Sequence, residues 1–323
     1  MTTKEKIEIS KPINQEKLYG YKNYFDTFRK LYESNNLPHV ILLTGQKGIG
    51  KSTFAYHFIN FLLSQKEENK YFYDDLTINL NSQTTKLLKN HTHPNFFLLD
   101  NNDNEEHIKI NQSRNLIRFL NLSTYNKDLK IVLLDNAEHL NPNSSNALLK
   151  SLEEYDDSTF FFIINNISSQ ISETIKSRCI EFKLRFNQIE KEKMFKQLIQ
   201  DYQFNIHENN ISKFLYFDSP GNIITYLLYF YETNLDIFND HLSCILYLIE
   251  LCKTKKDLQL LSFISIFVEN FYGELMLYNK NNFNIYYHNK SKILHMIHNM
   301  KTFNLDKKNL LISISKILEN EKR

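Results

Sequence analysis

With 323 residues, 42% of them hydrophobic, the chain can bury real cores in two or three domains, which excludes a disordered polymer. Its 39 basic and 37 acidic residues leave a net charge of only +2, so bulk charge does not make it a nucleic-acid coat, although a local basic stripe stays open. Three cysteines, Cys179, Cys244 and Cys252, form no C-x-x-C pair and leave an odd thiol. That argues against a disulfide framework or a four-thiolate zinc site and fits a reducing cytoplasm. Residues 1–6 carry no apolar signal run, and the apolar stretch 258–268 is short for a bilayer crossing, so a cytoplasmic protein without membrane contact is expected.

In chain order, 39–43 reads as a buried strand leading into a glycine-rich loop, and 52–63 as a helix with Phe54, Ala55, Phe58, Ile59 and Leu62 inward. Residues 96–99 form the next strand, and 110–122 an amphipathic helix with Leu116, Ile117 and Leu120 inward. Further continuous apolar runs follow at 131–134 and 160–164. Strands apolar on both faces and separated by helices predict an α/β domain with a covered parallel sheet. After about residue 186 only helical periodicity remains, at 188–202, 211–217, 222–232, 237–251, 258–277 and 306–319. The expected division is 1–186 for the α/β domain, 187–232 for a small helical lid and 233–323 for a helical bundle.

The loop Gly45-Gln46-Lys47-Gly48-Ile49-Gly50-Lys51-Ser52, followed by Thr53, fits G-x-x-x-x-G-K-[ST], and it holds three of the chain's six glycines. Glycines let successive backbone N–H groups turn inward around phosphate oxygens, while the helix that follows points its positive end at the same charge. Lys51 is the residue to reach the β- and γ-phosphates, and the Ser52 hydroxyl the one to ligate magnesium. A strand before and a helix after supply the setting that the pattern needs.

A P-loop site also needs a carboxylate at the end of a neighbouring strand to hold magnesium, and Asp135 after 131–134 takes that place. The alternative for Asp135 is a turn former at a strand end. Asn136 follows it, and an amide accepts no proton at neutral pH, so general-base help is missing there. Glu138 lies two residues on and is expected to start the next turn facing elsewhere. ATP and Mg²⁺ are therefore the expected ligands, with binding better supported than hydrolysis.

From here the sequence resembles the bacterial clamp-loader branch of the AAA+ P-loop ATPases, and within it the delta-prime subunits of the DNA polymerase III holoenzyme. Asn146-Ala147-Leu148-Leu149-Lys150-Ser151-Leu152-Glu153-Glu154 carries that likeness, with Ser177-Arg178-Cys179. So do His93-Pro94-Asn95, Ile110-Asn111-Gln112-Ser113-Arg114 and the Gly20-Tyr21 turn. The resemblance spans residues 12 to about 225. It implies a subunit of a hetero-oligomeric ring that places the sliding clamp on primed DNA. It also implies that Arg178 acts in trans as an arginine finger on a neighbour's ATP, and that the last hundred residues form a collar-like oligomerisation domain.

Departures from the family pattern point to a stator that binds ATP and turns it over poorly. Asn165 and Asn166 occupy the sensor position after the 160–164 strand, where threonine is usual, and Asn165 is the one assigned to the nucleotide. Asn222, in the Ser219-Pro220-Gly221 region, stands where arginine is common. Residues 64–95 lack the four-cysteine zinc module of many relatives, and His91 with His93 makes a poor metal site. Arg114 and Arg118 read as a solvated helix face, and Phe283, Ile285, Tyr286 and Tyr287 with Lys290 and Lys292 as packing in the bundle. The competing reading is a self-sufficient AAA+ ATPase, from which Asn136 is the distinguishing departure.

Overall fold

The computed structural model describes residues 9–101, 108, 110–122, 129–167, 169, 171–204, 215, 218–231, 233, 235–237, 239–254, 258–303 and 307–321. Two compact units make up the chain, 1–224 and 225–323.

The apolar runs of the first unit become strands β1 (Val40–Gly45), β2 (Phe96–Leu99), β3 (Lys130–Leu134) and β4 (Thr159–Asn166), joined by β5 (Ile180–Lys183). They lie in the order β2-β3-β4-β1-β5, and all the pairings are parallel. Alternate side chains serve two cores, as a sheet covered on both faces requires. Ile41, Leu43, Ile131, Leu133, Phe162 and Ile164 pack beneath helices α1 (Lys22–Glu33) and α2 (Lys51–Leu63), whose Phe25, Phe28, Phe54 and Phe58 meet edge to face. Val40, Leu42, Val132, Leu134, Phe161 and Ile163 face the other way, toward Leu116 of α4 (Ile110–Asn121), Leu148 and Leu152 of α5 (Pro142–Glu153) and Ile175 of α6 (Glu173–Lys176).

The sequence reading did not mark β5, and its burial explains why. It is an edge strand whose Ile180 is 55% exposed, so it needs no continuous apolar run. The segment between α2 and β2 is organised by a carboxylate. Glu67 accepts hydrogen bonds from Ser82 Oγ (2.7 Å), the Gln83 and Thr84 amides (3.0 and 2.8 Å) and Thr84 Oγ1 (2.6 Å) at the start of α3 (Gln83–Lys89). Partial burial pushes its carboxyl up, but these donors outweigh it and hold the group below its ordinary range.

Helix α7 (Gln188–Asp201) opens on a capping box, Asn187 with Glu190, and α8 (Pro220–Phe230) follows; the helix expected over 211–217 falls almost wholly outside the described residues. The second unit holds helices Leu258–Tyr278 and Lys307–Asn320 near the expected places, and His241–Thr254 four residues later than expected. Phe283–Phe303 is a further helix that the sequence reading missed, since its polar residues hide a seam of Tyr286, Ile293, Ile297 and Met300. Of the aromatic cluster assigned to packing, only Tyr286 is buried; Phe283, Ile285 and Tyr287 stand exposed. Among the described residues one stretch, Leu260–Tyr278, is long and apolar enough to cross a membrane, and Leu260, Leu261, Ile264, Phe267, Val268 and Tyr272 from it are core residues of this unit.

His57, fully buried on α2, ties this helix to two segments. Its Nε2 meets the Gln15 carbonyl at 3.0 Å, which can only accept, so Nε2 carries the proton and Nδ1 accepts from the Tyr71 hydroxyl at 2.8 Å. Burial holds its pKa down at about 4, with the Gln15 hydrogen bond pulling the other way. A base whose folded pKa lies below its unfolded value near 6.5 loses stability as pH falls between the two, by up to about 1.4 kcal/mol per pH unit. Urea unfolding across pH 7 to 4 should show that decline, and His57→Gln should flatten this part of it while lowering stability at pH 7.

Candidate nucleotide-binding site

The loop after β1 takes the shape that its glycines allow. Gly50 caps α2 at φ +97°, a left-handed conformation that side chains rarely adopt, and no side chain caps this helix. The amides of Lys51, Ser52 and Thr53 have no carbonyl four residues back within the helix, which leaves the positive end of α2 open to an anion. Lys51 is 5% exposed, and its ammonium donates to the carbonyls of Gly45 (3.1 Å) and Gln46 (3.0 Å) and to Asn166 Oδ1 (2.8 Å). Burial lowers its pKa to about 8, with Glu138 and Asp135 pulling it back up and Lys47 adding to the fall.

Strand β3 ends beside this loop. Ser52 Oγ donates to Asp135 Oδ1 at 3.0 Å, so the two oxygens expected to serve magnesium are already adjacent, and hard oxygen donors suit that cation. Burial, then the neighbouring Asp100, raises the Asp135 carboxyl to about 6, against hydrogen bonds from Ser52 and the Asn136 amide and the charge of Lys51. These residues fit ATP with magnesium.

Asn136 departs from the phosphate loop. It sits at φ 55°, a left-handed conformation that asparagine tolerates, and its side-chain amide donates to Asp100 Oδ1 at 3.1 Å. The 3-10 turn Ala137–His139 then folds back, so Glu138 does not face elsewhere, contrary to the sequence expectation. Its Oε1 accepts from the Asn166 side chain, the same residue that holds Lys51. The two asparagines at the end of β4 diverge. Asn166 reaches Lys51, while Asn165, the one assigned from sequence, donates to the Asn166 and Ser169 carbonyls at 3.1 and 3.2 Å. Strand alternation decides this, because successive side chains leave opposite faces.

Three further contacts hold the loop. The Tyr21 hydroxyl, on a ring stacked against Phe54, donates to the Ile49 carbonyl at 3.0 Å. Lys191, which the sequence reading passed over in an unremarkable charged helix, places Nζ 3.3 Å from Gln46 Oε1. The turn at 218–222 sits on the crown of the loop, where the Gly221 amide donates to the Gly48 carbonyl at 3.1 Å. Asn222 donates to Asp218 Oδ1 at 2.8 Å and lies 3.5 Å from the Lys47 carbonyl.

Arg178 follows α6, two residues beyond its end, and its side chain turns to other partners. Its Nε donates to Glu153 Oε1 at 2.7 Å and Nη1 to the Thr174 carbonyl at 2.7 Å; Nη2 also bonds Glu153. One ion pair thus joins two of the motifs that carry the resemblance, 146–154 and 177–179. Cys179 is half-buried, donates to the Ile175 carbonyl and has its thiol pushed up to about 12 by burial, which makes it a packing residue. Among the described residues no cluster of three or more His, Cys, Asp or Glu could hold a metal ion.

A family model described as DNA polymerase III, delta subunit, matches residues 20–188, the stretch that carries the sheet and the loop. This chain belongs to that family. A DNA polymerase III subunit delta' of Pseudomonas aeruginosa is 36% identical over 143 residues, 44% of this chain and 42% of that protein. One from Buchnera aphidicola subsp. Baizongia pistaciae is 31% identical over 151 residues, 45% of this chain and 44% of its own. Replication factor C subunit 4 of Saccharomyces cerevisiae is 26% identical over 197 residues, 60% and 51% respectively. The chain thus spans about half or less of the length of these relatives. The fold expected from the sequence, a covered parallel sheet followed by helices, is the one observed.

The glycine contact at the crown is testable. A Cβ on Gly221 would lie 2.4 Å from the Gly48 carbonyl oxygen, whereas one on Gly273, inside the helix Leu258–Tyr278, meets nothing within 4 Å. Gly221→Ala should destabilise the first unit by about 1–3 kcal/mol through overpacking. Gly273→Ala should stabilise the second by roughly 0.5–1 kcal/mol through helix propensity. Thermal melts of the two variants beside the parent check both signs.

Proposed function

We propose that this chain is a clamp-loader subunit of the delta-prime type. It assembles with other loader subunits in a ring, helps place the sliding clamp on primed DNA during replication, binds ATP with Mg²⁺, and works in the cytoplasm. Within that reading, residues 45–53, with Asp135 and Asn166, hold the nucleotide, and Ser52 and Asp135 serve its magnesium. Lys191 adds a second cation beside Gln46. Residues 187–232 serve as the lid and 233–323 as the collar-like oligomerisation domain.

The observation that carries the proposal is the placing of Arg178. It stands on Ser177-Arg178-Cys179, within the family match, and among the described residues its ion pair is with Glu153, whose side chain is 51% exposed. An ion pair so open to water is worth about 1 kcal/mol or less, so the guanidinium can exchange it for the phosphate of a neighbouring subunit. There it would neutralise charge that builds on the transferred phosphoryl group, an effect worth roughly 10³–10⁵ in rate at the one site it serves. The usual base position beside its own Asp135 is an amide, which supports a stator. One observation favours the second reading, a self-sufficient AAA+ ATPase: Glu138 faces the phosphate loop.

Arg178→Ala should lower the DNA-stimulated ATPase of the reconstituted loader by silencing one site, and leave assembly intact. Unchanged loader ATPase with this variant would remove the trans role. Calorimetric titration of the chain with Mg-ATP should give a binding heat that Lys51→Ala abolishes. Absence of heat with the parent chain would sink the nucleotide assignment and leave the assembly role to co-purification.

A further inference from the structure

The carboxylate that the sequence pattern lacks at position 136 is present in space. Asn136 adopts a left-handed turn and spends its side-chain amide on Asp100, away from the loop. That turn starts the short 3-10 segment Ala137–His139 and brings Glu138 back toward the end of β4. Glu138 Oε1 is held by the Asn166 side-chain amide, whose oxygen takes a hydrogen bond from the Lys51 ammonium at 2.8 Å. The carboxylate therefore stands one asparagine side chain away from the ammonium of the phosphate loop. Its charge is also the largest influence that favours the protonated form of Lys51.

The second oxygen is the telling one. Glu138 Oε2 is buried and has no hydrogen-bond partner among the described residues. A buried carboxylate oxygen without a donor costs on the order of 1–3 kcal/mol or more, a cost that the hydrogen bond to the other oxygen does not remove. It is an acceptor in want of an O–H donor, on a carboxylate linked through Asn166 to the lysine of the phosphate loop. A hydrogen bond from a water is what such an oxygen is suited to receive.

We propose that Glu138 is the general base of this chain's own phosphate loop, displaced by two residues from the usual position. The proposal rests on the reading that residues 45–53 hold ATP. Glu138 Oε2 accepts a proton from a water, whose oxygen forms a bond to the γ-phosphorus. The bond from that phosphorus to the β,γ-bridging oxygen breaks, its electron pair leaves with ADP, and inorganic phosphate is the second product. Asn166 is a positioning residue in this step, since it fixes Oε1 and so aims Oε2. The chain is then a slow ATPase in its own right and not a nucleotide-binding stator alone.

The experiment compares the full-length parent chain with Glu138→Gln, Glu138→Ala and Lys51→Ala, incubated with Mg-ATP under single-turnover conditions. Two quantities are read: the dissociation constant of Mg-ATP, and the fraction of protein-bound nucleotide recovered as ATP or as ADP after rapid desalting. The parent should bind ATP and convert it. Glu138→Gln keeps an oxygen for Asn166 but has no basic carboxylate, so it should bind within a few-fold of the parent and retain uncleaved ATP, with conversion slowed by roughly 10²–10⁴. Glu138→Ala should slow conversion at least as much, and Lys51→Ala sets the background for contaminating activity. Conversion by Glu138→Gln at the parental rate overturns the proposal, since the carboxylate would then only hold Asn166. A parent that binds ATP and never converts it also overturns the proposal but leaves the binding reading standing. A parent that binds no Mg-ATP brings down both.

Discussion

A buried ammonium is the constraint around which the rest of the first unit is arranged. Lys51 cannot be solvated where it sits, so three oxygens must come to it, and they belong to different parts of the chain. Two are carbonyls, one at the end of β1 and one in the loop just after it, and the third is on Asn166 at the end of β4, which pairs with Gly45 in the β1–β4 register. Asn166 passes the link to Glu138, which follows β3. One positive charge thereby fixes the relative positions of three strand ends. The sheet supplies the stiffness, because each of those strands is buried along its whole length.

The same loop is held from outside by contacts of a different kind. Tyr21 grips the Ile49 carbonyl, and its ring is stacked in the aromatic core, so the N-terminal turn and the loop are positioned by one residue. Gly221 meets Gly48 backbone to backbone, an approach that only glycine permits. Under the proposed function, any ligand that spreads the crown of the loop must move the 218–222 turn with it. Packing, and not a dedicated hinge, would carry that coupling.

Much of this was legible in the sequence because its physics is local. The phosphate loop is a contiguous run whose glycines announce their purpose, and the covered strands announce themselves by unbroken apolar residues. β5 escaped because an edge strand need not be apolar, and the helix Phe283–Phe303 because a narrow seam was diluted by polar neighbours. The orientation of Glu138 was beyond reach for another reason. It depends on a single left-handed residue, and one such turn redirects every side chain after it. The choice between Asn165 and Asn166 depends on the parity of β4, which a run of apolar residues buried on both faces does not reveal. Lys191 was invisible because its partner, Gln46, is 145 residues away.

The Glu67 staple has a consequence for how this protein tolerates its surroundings. Where a thiolate cluster organises such an insert, its folding is hostage to zinc supply and to oxidants, because the ligands must stay reduced and metallated. Here one carboxylate accepts four hydrogen bonds from two hydroxyls and two amides, none of which oxidises or exchanges with a chelator. Protonation is the one common chemical insult that reaches it, and those same donors resist that by favouring the ionised form. The order of the segment is thereby tied to acidity, since protonating Glu67 would remove the acceptor that those donors share.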